Sequence, residues 1–182
     1  TAKVVYAASV GNWIMRHEPE IWAKTAKYVM LPTYLNYKLT GNLIDSASNQ
    51  IGHIPFDYKN RRWMKPGSLT RCFCDVPNEK LCDLVPSGTV IGTITDEVCA
   101  LTGIPAGLPL ISTGSDKGCE TLGLAVVDSD KASISLGTTA TIQFSTTEYV
   151  EPQQFLPAYP GVLNDHYNPE IEIYRGLWLL SW

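Results

Sequence analysis

The run Leu108-Pro109-Leu110-Ile111-Ser112-Thr113 stops at Gly114-Ser115-Asp116, and a small-residue helical pattern, "KGCETLGLAV", begins at the next position. A buried strand that hands over directly to a helix restricts the chain to folds in which the two element types alternate. Gly114 lets the backbone turn without a side-chain penalty. Gly118 and Gly123 leave room for another group to approach the helix start. Asp116, at the junction, either caps the helix or is a base held at the mouth of a sheet.

The flanking sequence carries the alternation further. "TVIGTIT" is β-branched and strand-like, and "DEVCALTG" is a helix with Asp96 at the N-cap and Gly103 at the stop. After the Asp116 segment, "KASISLG" and "TATIQFST" are strands joined across Gly137-Thr138. The N-terminal half is more helical. "PEIWAKTAKYVM" has helical apolar spacing opened by Pro19-Glu20, and "PTYLNYKLTG" places Pro32 near a helix start and Gly41 just past its end. "DSASNQIG" is a capped turn or short helix in which Asp45 could be a ligand contact, though a structural cap is the weightier reading, and "NEKLCDLV" is helical, closing at Pro86-Ser87-Gly88. From Pro55 to Pro77 the chain is expected to be surface loop with local helix. An α/β domain with a mixed β-sheet and flanking helices follows.

Composition narrows the partners. A chain of 182 residues suffices for one core and is short for two. Its net charge is -4, and the densest basic cluster, Lys59-Asn60-Arg61-Arg62, is brief and preceded by Asp57. Nucleic acid and membrane surfaces both select a basic face, so neither is expected as a partner. No apolar run reaches the roughly 18 residues of a membrane span, and "TAKVVYAASVGNW" lacks the pattern of a signal peptide. Five cysteines match no disulfide framework or zinc spacing. Cys72 and Cys74 would lie on one side of a strand, where a metal or redox role weighs less than that of reduced thiols in a cytoplasmic protein. His53 and His166 are expected to be ordinary histidines, with no metal site among the side chains. The chain opens on Thr1 and ends in the apolar "YRGLWLLSW", which suggests a piece of something longer. Tyr159, Tyr167, Tyr174 and Trp178 are then expected to pack on a missing domain.

Two stretches carry chemistry. In open α/β sheets ligands bind beyond the carboxyl ends of the strands, where Asp116 falls. An ionised acid there, favoured by the positive end of the helix, can accept the proton of a hydroxyl as its oxygen attacks an electrophile. On composition alone the helix cap is the weightier reading. Gly137-Thr138-Thr139 combines backbone N–H groups with hydroxyls, a set suited to phosphate oxygens, though a plain hairpin uses the same residues.

Together these stretches resemble the FGGY carbohydrate kinases, the group that contains glycerol kinase and xylulokinase. The likeness lies in "NWIMRHEPEIWAKTAKYVMLPTYLNYKLTGNLIDSAS", "SGTVIGTITDEVCALTGIPAGLPLISTGSD", "GSDKGCETLG" and "SLGTTATIQF". The last two, at their mutual spacing, are the specific part. The resemblance implies an actin-like, ribonuclease H-like fold in two domains with ATP between them. Residues 1–182 would be the later part of the N-terminal domain, without the family's D-x-G-T phosphate loop or its C-terminal nucleotide domain. It also implies an ATP- and Mg²⁺-dependent kinase acting on a small-molecule sugar or polyol. Asp116 would be the catalytic base, Asp116 and Lys117 would meet substrate, and Gly137, Thr138 and Thr139 would hold ATP phosphates. Lys117 departs from the amide side chain that relatives place there, and Val10 stands where the first signature wants Lys. The missing domain of the same chain would be a partner, and a homodimer stays open. The fragment itself is expected to be inactive. A non-catalytic actin-like binding or assembly module is the alternative, against which the retained Asp116 and Gly137-Thr138 speak.

Overall fold

A computed structural model describes residues 9–52, 54–137, 139–153, 156–173 and 176. Its first helices are α1 (Val10–His17), α2 (Pro19–Lys24) and α3 (Leu31–Thr40). Ser9 caps α1 by accepting from Asn12 N, and Arg16 and His17 fall in its last turn, where positive charge suits the helix dipole. The apolar spacing predicts a helix through Met30, but α2 ends at Lys24 because the next residues bond elsewhere. Tyr28 N donates to Lys80 O at 2.6 Å, Lys27 Nζ to Leu81 O at 2.8 Å, and Lys80 Nζ to Thr25 O. α3 closes as expected, with Gly41 left-handed at φ 79°.

β1 (Ile44–Ser46) pairs in parallel with β4 (Asp83–Val85), in the register Ile44↔Asp83 to Ser46↔Val85. The strand β4 occupies sequence expected to be helical; only Asn78–Lys80 winds, as a 3₁₀ turn. Ala47–Asn49 forms a second such turn after β1. Within the segment expected to be loop, β2 (Phe56–Asp57) and β3 (Arg62–Trp63) form a small hairpin. Leu69–Phe73 is a 3₁₀ helix, so Cys72 and Cys74 do not sit on a strand. Cys74, Val76 and Leu81 are buried together, with Met15, Trp22, Tyr28 and Trp63 packed around them. Burial pushes the Cys74 thiol up, and that of Cys82 to about 11, as for inert apolar groups.

β5 (Val90–Thr93) and β6 (Pro109–Ile111) are antiparallel, with α4 (Asp96–Thr102) between them. The cap of α4 is Thr95, whose Oγ1 accepts from Val98 N, and Asp96 is the first helical residue. β6, expected to be buried, is open among the described residues: Ile111 is 51% exposed. α5 (Asp116–Gly123) follows, then the hairpin β7 (Ser133–Leu136) and β8 (Ala140–Gln143). β9 (Tyr159–Pro160) pairs with β10 (Tyr167–Asn168), and β11 (Glu170–Ile173) adds to β8. Parallel and antiparallel pairings thus occur together, distributed over small sheets.

In the β7–β8–β11 sheet the polar and apolar residues separate cleanly onto two faces. Its apolar row, Ile134–Ile142–Ile171, is exposed among the described residues. The rows Ser133–Gln143–Glu170 and Ser135–Thr141–Glu172 lie on the opposite face, turned to α5. Thr121 on α5 joins that face: its Oγ1 donates to Gln143 Oε1 at 2.5 Å and lies 2.9 Å from Ser133 Oγ. All three residues are buried, so their polar atoms have no water to fall back on.

Candidate active site

The turn between β6 and α5 is shaped by its neighbours. A Cβ on Gly114 would stand 2.6 Å from Val162 Cγ2, and one on Gly118 3.1 Å from the same methyl. The space these glycines leave is therefore taken by Val162 of this chain, while Gly123 has no neighbour within 4 Å. Ser115 N donates to Ser48 O at 3.1 Å, anchoring the turn to the 3₁₀ segment after β1. Ser115 Oγ accepts from Gly118 N at 3.1 Å and caps α5. Asp116 is the first residue inside the helix; its Oδ1 accepts from Lys117 N at 2.8 Å and the side chain is exposed.

That exposed acid borders a cleft of about 270 Å³, which Lys117, Thr139, Thr141, Glu170 and Glu172 also line. The strand-end acid and the threonine hairpin therefore face one space. Its floor is the polar face of the β7–β8–β11 sheet. Gly137 N donates to Thr139 O at 3.2 Å across the turn, and Thr138 lies outside the described residues. Lys117 Nζ donates to Glu120 Oε2 at 2.9 Å and to Ser135 Oγ at 2.7 Å.

Glu170 and Glu172 are site residues that sequence reasoning misses. The alternation Glu170-Ile171-Glu172-Ile173 carries the signal, since period two puts both acids on one face of a strand. Glu170 is buried and accepts from Gln143 Nε2 at 3.0 Å. Burial, aided by the charge of Glu172, raises its carboxyl above the ordinary range; Gln143, Thr141 and Lys117 work the other way.

Asp45 does not enter this cleft. It is 2% exposed and accepts from Thr33 Oγ1 at 2.7 Å, Ser46 N at 2.8 Å and Asn49 Nδ2 at 3.0 Å. It thus ties α3 to β1 rather than capping a helix. Tyr159 meets Tyr58 edge-on at 5.6 Å, and Tyr167 donates to Lys59 O at 2.5 Å beneath Arg61. These two aromatics pack within the chain; Tyr174, Trp178 and His53 lie outside the described residues. The His166 ring bonds to Asn164 O and its amide to Leu163 O, while its carbonyl accepts from Gly161 N at 2.8 Å and from Arg61 Nη2 at 3.1 Å. A larger cavity, about 360 Å³, lies beyond Ser48 and Ser87, but its acid, Asp165, is paired with Arg61. A further cleft, about 480 Å³, holds Asp57 and Glu151, but these accept from Asn60 Nδ2 and Tyr149 Oη, so the chemistry points to the cleft beside Asp116. No helix among the described residues is long and apolar enough to cross a membrane.

Comparison with known proteins agrees with this architecture. The xylulose kinase of Rhodospirillum rubrum superposes with a TM-score of 0.81 at 21% identity, over 98% of this chain and 35% of that one. Plasmodium falciparum glycerol kinase, solved with ADP, gives 0.74 at 17% identity, over 100% and 36%. The fold is thus the actin-like ATPase fold, represented in part. In sequence, the uncharacterized sugar kinase YgcE of Escherichia coli K12 is 33% identical over 150 residues, 82% of this chain and 30% of its own. The xylulose kinase of the same organism is 28% identical over 136 residues, 75% and 27%. The model of the FGGY carbohydrate kinase N-terminal domain matches residues 1–123. The chain belongs to the FGGY family of carbohydrate kinases. It spans about 30% of the length of these curated relatives, and the family match ends before the β7–β8 hairpin.

Proposed function

We propose that the protein carrying this chain is an ATP-dependent cytoplasmic kinase of a sugar or polyol, with Asp116 as its catalytic base. The observation that carries this reading is the shared cleft: the exposed Asp116 carboxylate and Thr139 of the hairpin border the same space. An acid at that position takes the proton of a substrate hydroxyl while the oxygen attacks the γ-phosphate of ATP. Such transfer is chiefly positioning and charge stabilisation. Gly137 to Thr139 supply the close backbone and the hydroxyls for phosphate oxygens, Thr138 by its place in the motif.

The donor set fits a magnesium nucleotide. Thr139 and Thr141 offer hydroxyls on the same wall as the carboxylates of Glu170 and Glu172. No group of three metal-ligating side chains gathers among the described residues. Mg²⁺ held mainly by phosphates and water needs only one or two carboxylates from a protein. When bound, it would neutralise charge on the phosphates; the chain's own residues hold the proton and the geometry.

Residues 1–182 would contribute the later part of the N-terminal domain, its cleft wall and base. The remaining phosphate loop and the adenosine site would come from elsewhere in the whole protein, so this stretch alone would not turn over. Relatives named xylulose kinase put ketopentoses first among substrates to try. A screen of pentoses, ketoses and polyols against the complete protein, read as ADP release, tests the assignment. Sugar-stimulated release with one acceptor class is the expected result; no release with any acceptor would leave the binding-module reading.

A further inference from the structure

We propose that Lys117 is a positioning residue, one that sets the base against the hairpin rather than touching substrate. The inference rests on Asp116 being the base. Lys117 holds both parts of the site at once. Its main-chain N–H donates to Asp116 Oδ1 at 2.8 Å, and its ammonium crosses to Ser135 Oγ at 2.7 Å. Ser135 stands on β7 two residues before Gly137, so the strap lands at the foot of the hairpin.

A second rung runs beside it. Thr121 is four residues along α5 and therefore on the same face as Lys117. Ser133 is two residues back along β7 and therefore on the same face as Ser135. Thr121 Oγ1 lies 2.9 Å from Ser133 Oγ, making the pairs Lys117–Ser135 and Thr121–Ser133 a two-rung ladder between helix and strand. One rung alone would let the helix swivel about it; two fix the rotation. The inner rung is buried, whereas the Lys117 rung sits at the cleft, next to the acid. Glu120 Oε2 accepts from a further ammonium N–H at 2.9 Å, which holds the lysine stem along the helix. Two of the three N–H donors of the ammonium are thus committed inside the chain. A lysine reaching for substrate would have to give these up.

The test uses the complete protein with Lys117→Met, Ser135→Ala, the double variant and Lys117→Arg. Turnover is measured with the acceptor found by the screen, and amide hydrogen exchange at Gly137 and Thr139 is measured without substrates. Each of Lys117→Met and Ser135→Ala is expected to lower kcat by about tenfold at nearly unchanged sugar KM, as a misplaced base does. The double variant should lose no more than the worse single one, because both ends of one contact are removed. Lys117→Arg should recover most of the loss, and hairpin exchange should rise in the Met and Ala variants. A raised sugar KM at parental kcat would make Lys117 a substrate ligand and overturn the proposal. So would multiplicative losses in the double variant, or unchanged exchange. Exchange needs no turnover, so it judges the strap even if Asp116→Asn were to retain full activity and the base assignment were to fall.

Discussion

Ser115 Oγ accepts the amide of Gly118 at 3.1 Å, so the cap of α5 is the serine and not the acid that follows it. From sequence, Asp116 has two competing uses. The structure gives the capping duty to its neighbour and leaves the Asp116 carboxylate at the cleft. Ser115→Ala should therefore cost about 1 kcal/mol of stability, the usual worth of a lost N-cap. Asp116→Asn should leave the melting temperature nearly where it is. Thermal denaturation of the two variants side by side checks this.

Gly114 is a steric requirement of this chain, not a vacancy for a ligand. Gly114→Ala would drive a methyl into Val162, whose Cγ2 stands 2.6 Å from the new atom. Overpacking of this kind costs about 1–3 kcal/mol. Adding Val162→Ala should return part of that loss, since it removes the clashing methyl. A double-mutant cycle in urea measures the recovery.

The buried rung between helix and sheet makes a separate prediction. Thr121→Val deletes a hydroxyl that Gln143 Oε1 meets at 2.5 Å, leaving a buried acceptor short of its partner. A loss of about 1–3 kcal/mol is expected. Thr121→Ser, which keeps the hydroxyl, should lose less.

Glu170 should make stability depend on pH in a defined direction. Its carboxyl is raised chiefly by burial, so the folded state holds that proton more tightly than the unfolded chain does. Folding is then favoured by this group at low pH, and the benefit fades as pH climbs from the usual value of 4.5 past the raised one. Glu170→Gln keeps the shape without the charge. Its melting temperature should exceed the parent's at neutral pH, with the gap closing as pH falls toward the ordinary carboxylate range.

Local signals in the sequence suffice where an element is held by its own residues. Pro32 and Gly41 bracket α3, and Gly137 marks the turn between two β-branched strands. Elsewhere a distant partner decides. "NEKLCDLV" has helical texture, yet Asp83–Val85 becomes a strand because Ile44–Ser46 offers a parallel edge almost forty residues away. The helix expected to reach Met30 yields at Lys24 to bonds that Tyr28 N and Lys27 Nζ donate to Lys80 O and Leu81 O. Ser115 and Thr95 are displaced from the expected caps by a single residue, a distinction that composition does not make when two capping types stand side by side. The acids of β11 escape notice because period two matters only once the strand has a sheet to join.

The most direct test of the proposed chemistry is the turnover rate of Asp116→Asn in the complete protein, followed as ADP release with a saturating acceptor. Losing one general base should lower kcat by about 10²–10⁴-fold with the fold intact. A variant that phosphorylates its sugar at the parental rate would contradict the account.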